Sequence, residues 1–215
     1  MKQHSLKQPK QNMEVQLKST IVFFLTISTT TLLSSTTTGH PFAPPSNEPD
    51  YIRTSCSTTR YPETCFSTLS KYSGAVKHDP SRLAMAAIHV ALTNATRMAF
   101  YVSKVSRHKD SDNTTESAAI HDCSSVFGDA VDEIYKSHKE MKQLGWTGES
   151  VRFQLGNVQT WMSAALTNED TCTDGFEDVA ASGVKTKVLD RVVAAKEVTS
   201  NALALVNSYA DTIPV

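Results

Sequence analysis

The sequence is short of the residues that build active sites. Eight glycines occur in 215 residues, most where helices end, and none belongs to a glycine-rich phosphate loop. No histidine follows a glutamate by three positions and no His-Glu-x-x-His occurs, so the carboxylate–histidine pattern of di-iron bundles and the zinc-hydrolase helix are both missing. No metal or cofactor is expected. Basic runs are absent after residue 39, which excludes nucleic acid as a partner, because phosphate binding needs clustered positive charge. Strand-like alternation of apolar and polar residues is missing as well. The longest uncharged apolar run, Ile21 to Leu33, is threonine-rich and shorter than the ~20 residues a spanning helix needs.

That run has the layout of a secretory signal. Lys2, Lys7, Lys10 and Lys18 precede it, and the small residues Ser34 to Gly39 follow as cleavage sites. Residues 1–39 are therefore expected to be removed, leaving a secreted protein with no membrane attachment. The remaining chain carries 17 basic and 21 acidic residues, a net −4 against −1 for the whole. Pro41, Pro44, Pro45 and Pro49 mark residues 40–49 as an extended leader. In an exported protein the four cysteines favour disulfides, for which sequence alone allows three pairings. Asn94-Ala95-Thr96 and Asn113-Thr114-Thr115 are sequons open to glycosylation.

What the chain has in abundance is helical periodicity. Val151, Leu155, Val158, Met162 and Ala165 alternate spacings of four and three, the seam of an amphipathic helix, and the next seam positions are Glu169 and Cys172. Residues 168–173 are expected to kink or restart this helix, and Gly183 to stop it. Upstream, Tyr51 to Thr59 reads as a short helix. Pro62 opens another, carrying Cys65, Leu69 and Tyr72 on one face. A Cys56–Cys65 bond would staple so small a hairpin.

Asp79-Pro80 is an N-cap followed by proline at the first helical position. From there Ala84, Ile88, Ala91, Ala95, Met98, Val102 and Val105 form a second long seam to about Arg107. After a polar loop, Asn113 and Glu116 are expected to form a capping box. The seam they introduce holds Ile120, Cys123, Phe127, Ala130, Ile134 and Met141. A last seam holds Val188, Val192, Ala195, Thr199, Ala202, Val206 and Tyr209. Four long helices joined by short connections predict an all-α, up-down-up-down four-helix bundle, preceded by the hairpin, over residues 50–212. Antiparallel packing brings the ends carrying Cys123 and Cys172 together, so a bond between them is geometrically sensible.

Chemistry is hard to find on this frame. His121 and Cys123 are two positions apart, a rotation of about 200° on a helix, so they do not form a thiol–imidazole dyad. Asp129, Asp132 and Glu133 lie on a polar helix face, where carboxylates are ordinarily solvated. His89 and His138 read as surface or flank residues. The chain is therefore not expected to be an enzyme. Two classes remain: a cytokine-type signalling bundle, or an inhibitor that binds through a rigid helical face.

Four stretches decide between them. Cys56-Ser-Thr-Thr-Arg-Tyr61-Pro62-Glu-Thr-Cys65 resembles the opening hairpin of the plant pectin methylesterase and invertase inhibitors. Ile120 to Cys123 with Phe127 to Ile134 resembles that family's third-cysteine helix, with Phe127 where a tyrosine is usual. Trp161 to Asn168 with Thr171 to Phe176 is the most specific match, and Asn201 to Leu205 also fits. The resemblance covers about Asp50 to Asp211. It implies a disulfide-pinned bundle with the pairs Cys56–Cys65 and Cys123–Cys172. It further implies a secreted cell-wall inhibitor that forms a 1:1 complex, as a monomer, and sterically covers its target's substrate cleft.

Invertase inhibitors of this family carry a Pro-Lys-Phe-type loop. The corresponding segment, Arg107 to Thr115, lacks it, so pectin methylesterase is the expected target and acid invertase the alternative. An esterase pro-region is a further alternative; with no catalytic domain before Val215, a free inhibitor is expected. Asp129, Asp132, Glu133 and Lys136 are the expected contact residues.

Overall fold

The computed structural model describes residues 48–109, 114–145 and 148–214, and among them there is no strand. The expected signal, most of the leader and the sequon residue Asn113 lie outside the described residues. Helices α1 (Glu48–Cys56), α2 (Pro62–Leu69) and α3 (Ser73–Val76) precede four long ones: α4 (Pro80–Lys109), α5 (Thr115–Met141), α6 (Gly148–Asp174) and α7 (Gly183–Ala210). α1 begins two residues inside the expected leader, because Pro49 lacks an N–H that the first turn has no use for. A 3₁₀ turn, Ser70–Tyr72, links α2 to α3, so the hairpin is longer than periodicity alone suggested.

The long helices close a square. α4 packs on α5, α5 on α6, α6 on α7, and α7 back on α4. Neighbours run antiparallel, as the cross-links between α6 and α7 record: Gln159 meets Asn207, and Glu169 meets Thr199. The expected seams face inward. Ile88, Ala91, Ala95 and Val102 of α4, Ile120, Phe127, Ala130 and Ile134 of α5, Val158, Met162 and Ala165 of α6 and Val188, Val192, Ala202 and Val206 of α7 are fully buried. At roughly 25 cal/mol per Å² of apolar surface removed from water, this shared seam dominates the stability of the bundle.

Several local expectations are corrected. Asp79 does cap α4, accepting from the N–H groups of Ser81 and Arg82 at 2.8 and 3.1 Å. The capping box of α5, however, is Thr114 with Ser117, one residue out of register from Asn113 and Glu116. Glu116 is drawn away from the box by Ser182, which donates to it, and by Lys109 at 3.7 Å. α6 does not break or restart at 168–173. The hydroxyls of Thr171 and Thr173 bond back to carbonyls one turn earlier, and the helix runs unbroken to Asp174. Gly183 stops nothing: Ser182 is extended, accepts from the Lys185 N–H at 2.9 Å, and makes Gly183 the first residue of α7.

Two disulfides pin this arrangement. Cys56 is bonded to Cys65 across the α1–α2 connection, and Cys123 to Cys172 across the antiparallel α5–α6 pair. A polar clamp seats the hairpin on α7. Asn201, 3% exposed, donates to the Tyr61 carbonyl at 2.9 Å and accepts from the Tyr61 N–H at 3.2 Å, while Thr64 donates to Glu197 at 2.8 Å. Asn201→Ala removes the side-chain partner of the part-buried Tyr61 N–H and leaves the Tyr61 carbonyl with only the Cys65 N–H. It is expected to destabilise the domain by about 1–2 kcal/mol in urea titration, with the earliest loss of amide protection at residues 61–69. Uniform loss along the chain would show that the clamp is not local to the hairpin.

Candidate partner-binding surface

α5 presents one face to α4 and α6 and the other to solvent. The inward positions recur at Cys123, Phe127, Ala130, Ile134, Ser137 and Met141, all buried. The outward positions fall three and four residues apart at Asp129, Asp132 and Lys136, all exposed. Glu133 does not share that exposure. Its side chain is 21% exposed, one oxygen accepts from Lys136 at 3.0 Å, and the other is buried without a hydrogen-bond partner. Glu133 is thus a flank residue that holds Lys136 against the helix, a pair whose lysine end is solvated and which is worth under about 1 kcal/mol.

Tyr135 completes the outward face. It is 57% exposed and lies three residues beyond Asp132. Reading charge alone missed it; an aromatic on a polar stripe was the available signal. A half-exposed tyrosine on the same face as Asp132 can anchor a protein partner, because it brings large area at little conformational cost.

The other singled-out residues have structural places. Cys123 is disulfide-bonded and His121 is exposed beside Asp122, so no thiolate–imidazole pair exists there. His89 is exposed and His138 half-buried against it, their ring centres 5.9 Å apart. Burial, reinforced by Lys142 and by His89, holds His138 below the ordinary imidazole value. Among the described residues, no group of three or more histidines, cysteines or carboxylates is placed to hold a metal, and no helix is long and apolar enough to cross a membrane. Asn94 lies within α4, partly exposed, its side-chain amide donating to the Val90 carbonyl at 2.8 Å.

The family model described as plant invertase/pectin methylesterase inhibitor matches residues 50–205. The chain belongs to that family. It is 40% identical over 202 residues to pectinesterase inhibitor 9 of Arabidopsis thaliana, covering 92% of this chain and 97% of that one. It is 41% identical over 170 residues to a 21 kDa protein of Daucus carota, covering 78% of this chain and 86% of the relative. A crystal structure of a mutant form of a pectin methylesterase inhibitor from Arabidopsis superposes with a TM-score of 0.59 over 76% of this chain and 97% of that one, at 17% identity. The fold is thus shared with a member of the family. Both disulfides and the α5 face lie within the matched residues.

Proposed function

We propose that this chain inhibits pectin methylesterase by binding it, with no chemistry of its own. The observation that carries the reading is the 40% identity to pectinesterase inhibitor 9 across 92% of the chain. The proposal includes export, with residues 1–39 as signal and 40–49 as leader, and action in the plant cell wall. It also includes a monomer that binds one enzyme molecule and lays the outward face of α5 across the substrate cleft. A rigid, disulfide-pinned helix suits that task, because a preformed surface loses little conformational freedom on binding.

The test is a paired inhibition assay on the oxidised protein, with a plant pectin methylesterase in one arm and an acid invertase in the other. Loss of esterase activity alone is expected. Loss of invertase activity alone would overturn the choice of target. Tyr135→Ala is expected to weaken esterase inhibition at least tenfold, about 1.4 kcal/mol or more, with an unchanged melting temperature. An unchanged inhibition constant would move the contact surface off α5.

A further inference from the structure

On a different side of the bundle, between α4 and α7, lies a cleft of about 260 Å³ lined by Asn94, Arg97, Met98, Arg191, Ala194 and Ala195. Its two arginines come from different helices, and both are exposed. Neither is ion-paired among the described residues, unlike Arg82, Lys109, Lys136 and Lys196, each of which has an acidic partner. Arg191 is not loose. Its guanidinium lies 4.4 Å from the centre of the Tyr101 ring, a contact that restricts it at the cleft's edge. Two guanidinium groups without an ion pair that line one concavity attract an anion, and their planar donor geometry matches a carboxylate.

The rest of the lining narrows the choice. Met98, Ala194 and Ala195 provide an apolar wall that a bare phosphate does not use and that the C–H face of a sugar ring does. Asn94 spends one amide hydrogen on Val90 and keeps its carbonyl oxygen and second hydrogen for hydroxyl groups.

We propose that the α4–α7 cleft is a uronate site, in which Arg97 and Arg191 hold the carboxylate of an acidic sugar while Met98, Ala194 and Ala195 contact its ring. The choice of an acidic sugar rests on the reading that the protein acts on pectin modification. Removing the methyl ester from pectin unmasks the carboxylate that two arginines recognise. The cleft would therefore hold the inhibitor on wall polymer that is already demethylesterified, through a surface separate from the α5 face. A glycan on Asn94 would occupy the same space, so glycosylation there and uronate binding exclude one another.

The experiment titrates the oxidised, Asn94-unglycosylated protein with three probes followed by amide NMR shifts: trigalacturonate, its methyl ester, and glutarate. Saturable shifts at Ala194 and Ala195 are expected with trigalacturonate, at least tenfold weaker binding with the ester, and weaker binding with glutarate. The double variant R97Q/R191Q is expected to lose at least tenfold in affinity, while melting temperature and esterase inhibition stay unchanged. Arg191→Lys should fall between, since it keeps the charge but loses the fork. The proposal is overturned if the ester binds as well as the acid, if glutarate matches the sugar, if the double variant still binds, or if no probe shifts these residues. Esterase inhibition lost with uronate binding intact would instead overturn the reading of the previous subsection and leave the cleft assigned.

Discussion

Replacing Cys123 and Cys172 together by alanine is expected to destabilise the bundle by about 4 kcal/mol, because the bond between them closes a loop with a sequence separation of 49. Loop-closure entropy grows with the logarithm of length, so the Cys56–Cys65 bond, with a separation of 9, contributes about 3 kcal/mol on the same footing. The two losses should differ more in place than in size. Cys123 and Cys172 are 1% and 2% exposed and belong to the apolar cluster that also holds Phe127, Phe176 and Val188. Opening that bond frees the start of α5 from the end of α6 and unsettles the bundle itself. Opening the hairpin bond frees α1 and α2, which still hang from α7 through Asn201. Urea titration gives the two magnitudes, and hydrogen exchange gives the places. The C123A/C172A variant should lose protection in all four long helices, and the C56A/C65A variant chiefly in residues 48–76. Alanine is preferred to serine because a hydroxyl at these buried positions would lack a partner. Equal exchange patterns for the two variants would show that hairpin and bundle unfold as one unit.

How much of this was legible beforehand follows from what one helix can record about itself. A seam with spacings of four and three is written in a single segment, and nearly every seam residue of the four long helices is buried. The position of Cys172 on the α6 seam was legible for the same reason. What went unread depends on two segments at once. Glu116 looked like half of a capping box until Ser182, sixty-six residues on, claimed it. Residues 168–173 looked like a break because threonine and asparagine favour turns, yet the surrounding bundle and the disulfide hold them helical. Glu133 looked outward by charge, whereas the packing of α5 buries one of its oxygens. The α4–α7 cleft needed both arginines in space before either had meaning.

Glu169 sets the final expectation, a stability that falls as pH rises from 5 to 8. This residue interrupts the α6 seam between Ala165 and Cys172. On one side lies the apolar cluster of Ala95, Ala130, Ala165 and Val198, on the other that of Met98, Phe127, Cys172 and Ala195. It is fully buried; one oxygen accepts from Thr199 at 3.0 Å and the other has no partner. Burial drives its pKa up from 4.5 to about 8, against the opposing hydrogen bond from Thr199 and the nearby charge of Lys196; Asp170 adds to the rise. Between those two values the folded protein keeps a proton that the unfolded chain has released. Stability must then decrease with increasing pH, the reverse of an ordinary salt-bridged carboxylate. The contribution is fully present below pH 4.5 and lost as pH passes through 8. At about 1.4 kcal/mol per unit, the loss between pH 5 and pH 7 reaches up to roughly 3 kcal/mol. Glu169→Gln keeps the shape and the acceptor for Thr199 but has no proton to lose. Its unfolding free energy should be close to wild type at pH 5, flat in this respect up to pH 8, and higher than wild type at pH 7.5. Parallel wild-type and variant profiles would mean that Glu169 titrates as a solvated carboxylate. Below pH 8 the protonated Glu169 links α6 to α7 through Thr199 without leaving a charge in the core.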